Sequence, residues 1–159
     1  MKSLYFYDTF IGKVGIVDCD GSITNVFFEC DVIPEDFKIR ETELLAKAGA
    51  QLLEYFSGKR KTFDLVLAPA GTEFQKSVWR VLCDIPYGNT VSYKDVAYGI
   101  SNEKACRAVG LANNKNPIPL FIPCHRVIGS NGKLVGYRGG LAVKKMLLEF
   151  EYGKILNAE

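Results

Sequence analysis

The sequence predicts a mixed α/β (α+β) chain in two parts, a strand-rich first part followed by a mainly helical second part. Three observations carry this reading. Short runs rich in aromatic and β-branched residues crowd the stretch before residue 30, and two capping-box patterns open apolar helical periodicities after residue 70. Between them lies LAPAGT, at 67–72, whose proline and glycine mark the best boundary in the chain. The domains are therefore placed at 1–68, an α/β unit, and 69–159, a mainly helical unit containing a helix-turn-helix.

The elements follow in order. SLYFYD, KVGIVD and SITNVFFE read as strands, and Asp20-Gly21 between the last two is a hairpin signal. Asp31 to Asp36 is an acidic, proline-containing loop. Thr42 caps a helix to about Ser57, because Leu45, Ala48, Leu52 and Phe56 recur at helical spacing and Gly58 stops it. TFDLVLA alternates like a further strand. Thr72 and Gln75 then form a capping box ahead of Phe74, Val78, Val81, Leu82 and Ile85, and the helix should end at Pro86-Tyr87-Gly88. Ser92 and Asp95 repeat the pattern and open a short helix through Ile100. After a break at Ser101-Asn102, EKACRAVGLANN forms a second helix that Pro117 closes. Two short helices joined by a tight turn fit a helix-turn-helix, although a plain αα-hairpin has the same pattern. On the second helix Arg107 shares a face with Glu103, Gly110 and Leu111, with Ala105, Ala108 and Ala112 nearby. Such small residues either admit a partner backbone or pack against the first helix, and both readings stay open.

Composition narrows the function classes. Nearly half of the 159 residues are hydrophobic, 24% are charged and no tract is of low complexity, so the chain folds. No apolar run approaches membrane-spanning length, and MKSLYFYDTF lacks the apolar core of a secretory signal, so a cytoplasmic place is expected. The five cysteines, at 19, 30, 83, 106 and 124, are odd in number and form no CxxC pair. A disulfide framework is not expected, and most of them are read as small buried hydrophobes. With one histidine, a zinc site would need distant cysteines to converge, so no metal is expected. Residues 1–68 hold 8 Lys+Arg against 11 Asp+Glu, and residues 69–159 hold 12 against 7, so the second part is the one suited to face a polyanion.

The chemistry concentrates in IPCHRVIG. PIPLFIP, at 117–123, is too apolar and proline-rich for an exposed helix and is read as a buried extended segment with Cys124 at its end. A thiol has an ordinary pKa of about 8.5 and needs a base or a positive field to react quickly at neutral pH. His125 is the candidate base, but neighbouring side chains diverge in both strands and helices, so it would act on Cys124 through a water. The last helix, from Leu141 to Tyr152, buries Val143, Met146, Leu147 and Phe150 and carries Glu151 on the edge of that face, where His125 or Arg126 would serve equally as its partner.

GTEFQKSVWRVLCDIPYGNTVSYKDVA, RAVGLANNKNPIPLFIPCHRVIG and GYRGGLAVKKMLLEFE together resemble the methylated-DNA-protein-cysteine methyltransferases, the DNA alkyltransferases that repair O(6)-alkylguanine. The resemblance spans 71–151 and implies a ribonuclease-H-like domain before it. It implies that the chain binds double-stranded DNA containing O(6)-alkylguanine from the minor groove as a monomer, needs no cofactor, and moves the alkyl group irreversibly to its own cysteine. Under it Cys124 is the acceptor, His125 the base acting through a water, and Glu151 the carboxylate that orients His125. Tyr93 assists the departing guanine, and Asn116 fastens the turn before the active-site segment. Arg107 fills the gap left by the flipped base, and Ala105, Ala108, Gly110, Ser92 and Lys104 meet the DNA. Tyr137, Arg138, Gly139 and Val127 line the substrate pocket, Arg138 standing where some members have a small hydroxyl residue. The alternative within this resemblance is a non-enzymatic alkyltransferase-like damage-recognition protein, which has a non-nucleophilic residue at the cysteine position.

Overall fold

In the computed structural model, residues 1–153 are described, and they fall into two units, one of Met1–Ala70 and one beginning at Gly71. The first opens with β1 (Ser3–Thr9), β2 (Gly12–Cys19) and β3 (Ser22–Phe27), an antiparallel meander. The β2–β3 connection is a two-residue turn with φ 52° at Asp20 and 81° at Gly21. Two successive positive φ values match the twist of the flanking strands, and Asp-Gly supplies them at little steric cost. A short strand the sequence does not announce, β4 (Lys38–Ile39), runs parallel to β1 and completes the order β3-β2-β1-β4. Two residues are too few to show a periodicity.

Thr42 caps α1 (Glu43–Phe56) by accepting from the Leu45 amide, and its own hydroxyl donates to Asp18 of β2. Leu45, Ala48, Leu52 and Tyr55 form the buried stripe of α1. One face of the sheet carries Leu4, Val17 and Phe27, packed with Phe6, Ile33 and Phe37. Tyr7, on the alternate face of β1, shares its one hydroxyl proton between Glu41 at 2.7 Å and the Leu45 carbonyl at 2.9 Å, tying sheet to helix.

TFDLVLA corrects a sequence expectation. It forms only an isolated parallel bridge, Leu67 with Ile23, rather than a strand. The Gln51 side chain holds the Asp64 backbone from both sides, accepting at 2.9 Å and donating at 3.2 Å, and Arg60 donates to the Thr62 carbonyl. Backbone groups satisfied by side chains are withdrawn from a ladder.

The second unit begins with α2 (Glu73–Cys83), whose Thr72–Gln75 capping box is fully formed. A second complete box, Ser92–Asp95, opens α3 (Tyr93–Gly99) directly from the short strand β5 (Val91–Ser92). A turn with Ser101 at φ 59° leads to α4 (Cys106–Asn114). The expected helix start at Glu103 is thus corrected by three residues: Ala105 occupies the cap position and no side chain caps it, so the amides before Cys106 are left to turns. Trp79 is buried between these helices and donates its indole N–H to the Ala112 carbonyl at 2.9 Å.

PIPLFIP is buried as expected but is not extended. It folds back in a turn with Leu120 at φ 76° and the Ile122 amide donating to Ile118. Asn116 enforces the turn, its Nδ2 donating to the Ile122 carbonyl at 2.9 Å while its Oδ1 accepts from the Ile118 amide at 3.0 Å. The chain continues through a single 3-10 turn, Cys124–Arg126, into β6 (Val127–Ile128), which pairs in parallel with β5. α5 (Leu141–Tyr152) closes the described chain.

The buried stripe of α5 also differs from expectation. It is Lys144, Leu147, Leu148 and Glu151, while Val143, Met146 and Phe150 are half-buried. The cysteines differ too: Cys30 and Cys83 are exposed, Cys19 and Cys106 are half-buried, and Cys124 alone of the five is buried. Cys30 sits in the turn after β3 and Cys83 off the buried face of α2, and the thiol's small area gives little drive to bury either. No described helix is long and apolar enough to cross a membrane.

Candidate active site

Three local choices position Cys124. The Asn116-locked turn delivers it, the 3-10 turn reverses the chain after it, and the β5–β6 ladder holds the following strand beside the start of α3. Its backbone is fixed as well, because Asn113 of α4 donates its Nδ2 to the Cys124 carbonyl at 3.3 Å. The residue is 3% exposed.

The 3-10 turn aims His125 and Arg126 at α5. His125 Nε2 lies 2.8 Å from Glu151 Oε2, and Arg126 forks onto the same carboxylate, Nε donating to Oε1 at 2.8 Å and Nη2 to Oε2 at 3.0 Å. The Gly88 amide adds a fourth bond to Oε1 at 3.3 Å. Arg126 also donates to the Ile85 carbonyl at 2.7 Å and stacks over Tyr87. His125 and Arg126, left as equal candidates for Glu151 by the sequence, both hold it. A carboxylate has about four acceptor sites, so the sharing is stoichiometric rather than competitive.

Burial alone would raise the Glu151 pKa, but the bonds from His125 and Arg126 outweigh it and hold the carboxyl well below the ordinary range. Burial pushes His125 down from its usual value, against the pull of Glu151, so the ring is neutral at pH 7. A neutral ring that donates Nε2–H to a carboxylate has its lone pair on Nδ1. Nδ1 is buried and meets no hydrogen-bond partner among the described residues.

The thiol of Cys124 is pushed up by burial, and Asn116, Lys144 and Arg138 oppose that rise. It therefore rests protonated, close to groups that favour its thiolate. Tyr93 is raised to about 12, first by burial and then by Cys124, so it remains a proton donor, and its hydroxyl donates to the Val135 carbonyl at 2.8 Å.

The expected pocket residues lie on β6 and in the loop that follows it. Val127 is fully buried, and Tyr137, Arg138 and Gly139 are half-buried in the loop between β6 and α5. Gly110 passes close to the Tyr93 ring, where an added Cβ would make ordinary contact. Lys104, Arg107 and Ala108 are exposed, Ala105 is half-buried at the cap of α4, and Ser92 is spent on capping α3. The alanine question resolves along the helix: Ala112 packs inward, whereas Ala108 faces solvent beside Arg107.

Two buried polar residues near Cys124 escaped the sequence reading. Lys144 is entirely buried, and its ammonium donates to the carbonyls of Val127 at 2.6 Å, Val135 at 3.0 Å and Gly136 at 3.2 Å. Burial lowers its pKa to about 8, while Cys124 works the other way. Its spacing with Leu147, Leu148 and Glu151 placed it on the helix's inner stripe, and that was the available signal. Asn113 gave no such signal beyond sharing the inward face of α4 with Val109.

The profile of the 6-O-methylguanine DNA methyltransferase ribonuclease-like domain matches residues 4–69, and that of the 6-O-methylguanine DNA methyltransferase DNA binding domain matches residues 73–153. The chain is 58% identical over 119 residues to the methylated-DNA–protein-cysteine methyltransferase of Methanosarcina barkeri, covering 75% of each protein. It is 43% identical over 151 residues to the constitutive methylated-DNA–protein-cysteine methyltransferase of Bacillus subtilis, covering 91% of this chain and 92% of the relative. The crystal structure of Mycobacterium tuberculosis OGT in complex with DNA matches with TM-score 0.90 at 39% identity, covering 96% of this chain and 94% of that one. With both domain profiles matched in order and similarity of this extent along nearly its whole length, the chain belongs to the 6-O-methylguanine DNA methyltransferase family.

Proposed function

We propose that this chain is a single-use DNA repair protein that takes the alkyl group from O(6)-alkylguanine onto Cys124. The observation that carries this is a buried thiol beside a neutral histidine whose Nε2–H is held by a carboxylate that Arg126 keeps ionised. Methylated-DNA–protein-cysteine methyltransferase activity is carried by relatives at 43% and 58% identity.

In this reading the exposed edge of α4 enters the minor groove, Ala105, Ala108 and Gly110 allow close approach, and Ser92 and Lys104 contact the backbone. Arg107 occupies the space left by the flipped base. A helix edge of small residues gives sequence-tolerant contact, which a damage search requires. Flipping costs a few kcal/mol, and the weakened pair of an alkylated guanine lowers that cost.

The transfer balances as a displacement. His125 Nδ1 takes the Cys124 proton through a bridging water, and the thiolate attacks the alkyl carbon. The C–S bond forms as the C–O6 bond breaks, and the electron pair passes to the guanine ring, which Tyr93 supplies with a proton or hydrogen bond. Tyr137, Arg138, Gly139 and Val127 enclose the alkylated oxygen, and Asn116 keeps Cys124 in register. The thioether has no leaving group for water to displace, so the protein is consumed. One copy supplies every group named, which favours action as a monomer, and the place of action in this reading is the cytoplasm.

Incubating the protein with a duplex bearing O(6)-methylguanine should add one methyl mass per chain, on the peptide holding Cys124, with no turnover. Cys124→Ser should bind the duplex and remain unmodified. Tight binding by wild type without mass gain would favour a recognition-only protein, and repeated turnover would discard the single-use mechanism.

A further inference from the structure

Asn113 lies on the inward face of α4 at 1% exposure. A carbonyl only accepts hydrogen bonds, so its bond with the Cys124 carbonyl fixes the amide orientation: Nδ2 faces Cys124 and Oδ1 points away from it. That oxygen is buried and has no hydrogen-bond partner among the described residues. Buried polar atoms in native proteins are nearly always satisfied, so an open acceptor on the side chain that holds the Cys124 backbone calls for a donor.

His125, Asn116 and Lys144, which flank Cys124, have none to give. His125 uses its Nε2–H on Glu151, and its Nδ1 is an acceptor. Asn116 spends its amide on Ile122 and Ile118, and the three protons of the Lys144 ammonium go to Val127, Val135 and Gly136.

We propose that Asn113 is a specificity-determining residue whose Oδ1 accepts a hydrogen bond from the exocyclic 2-amino group of the flipped guanine, an inference that rests on the repair reading above. Alkylation at O6 leaves N1 of guanine without its proton, so N1, N3 and N7 all accept and the 2-amino group is the base's remaining N–H donor. The unfilled acceptor on the protein and the single donor on the lesion are complementary. Pyrimidine lesions alkylated at O4 of thymine have no amino group to offer. Because Asn113 also grips the Cys124 backbone, reading the base and placing the nucleophile pass through one side chain.

The test compares single-turnover transfer from duplexes carrying O(6)-methylguanine or O(6)-methylhypoxanthine, which lacks only the amino group, by the full wild-type chain, Asn113→Leu and Asn113→Ala. Wild type should be slower on the hypoxanthine lesion by roughly ten- to hundred-fold, because a site built for a hydrogen bond rejects the analogue without it. Both variants should be slower on guanine, with the ratio between substrates reduced to about two-fold. Two substitutions of different size keep the comparison available if one fails to fold. Equal wild-type rates on the two lesions would overturn the inference alone, as would variants that slow on both lesions while keeping the wild-type ratio. Absence of methyl transfer from either duplex would overturn the repair reading, and this inference with it.

Discussion

Replacing Glu151 by glutamine keeps its shape and removes its charge, which isolates what the carboxylate does. The Glu151 side chain is 1% exposed, as is that of His125, and Arg126 is 7% exposed, so bulk solvent cannot compensate. Arg126 offers only N–H donors, so the amide oxygen takes the Oε1 position, facing Arg126 Nε and the Gly88 amide, and the amide NH2 takes the Oε2 position, facing His125 Nε2 and losing the Arg126 Nη2 bond. Two consequences follow. Arg126 stays buried with a neutral partner, and breaking a buried ion pair costs about 3–5 kcal/mol, with the retained oxygen placing Glu151→Gln near about 3. Nε2 becomes an acceptor, the ring proton moves to Nδ1, and the base is lost, a change worth roughly 10²- to 10⁴-fold in the single-turnover rate. Unfolding is readable from Trp79, the chain's single tryptophan, which lies in the same unit, and transfer from mass gain on Cys124. The pH dependence has a definite sign. A carboxyl held below its ordinary value contributes its full stability above the unfolded pKa of about 4.3, and that contribution drains as pH falls below it. The gap between wild type and Glu151→Gln should therefore narrow from pH 5 toward pH 3. A variant within about 1 kcal/mol of wild type at pH 7 and within about three-fold in rate would refute this reasoning.

Lys144→Met removes the ammonium that joins Val127 to the Val135–Gly136 loop, and the loosened loop should slow transfer by about 10²-fold with DNA affinity little changed. In wild type a lysine depressed to about 8 binds fewer protons folded than unfolded up to its ordinary value near 10.4, so it makes stability rise with pH across that interval. Denaturant titrations of the variant should lack that component, and parallel curves would reject the assignment. Arg107 is exposed on α4, so Arg107→Ala should change stability by no more than about 0.5 kcal/mol while slowing transfer from duplex by about ten-fold or more. The same variant should react normally with the free alkylated base, which needs no flipping; equal losses on both substrates would place Arg107 elsewhere in the mechanism.

Much of the fold was legible because it is written in local rules. The Asp20-Gly21 turn and the Thr72–Gln75 and Ser92–Asp95 boxes depend on residues within four positions of each other, and each appears where the sequence puts it. The pairing of His125 with Glu151 was also legible in part, since Glu151 follows Leu147 by four residues on the edge of an apolar stripe. Local rules failed where backbone groups were captured from a distance. TFDLVLA alternates like a strand, yet Gln51 of α1 takes its backbone. PIPLFIP looks extended, yet Asn116 bends it into a turn.

By itself, then, the sequence determined where chains turn, where helices begin and which cysteine stands beside the only histidine, because propensity and capping act between near neighbours. Tertiary structure alone decided how Glu151 is divided between His125 and Arg126, why a lysine is tolerated on the inner face of α5, and that Asn113 keeps an unfilled acceptor beside Cys124. Periodicity reports which face of a helix turns inward. It does not report which carbonyls and charges, 8 to 26 residues away in the chain, will meet that face, and a buried polar group is stable only once those partners are in place.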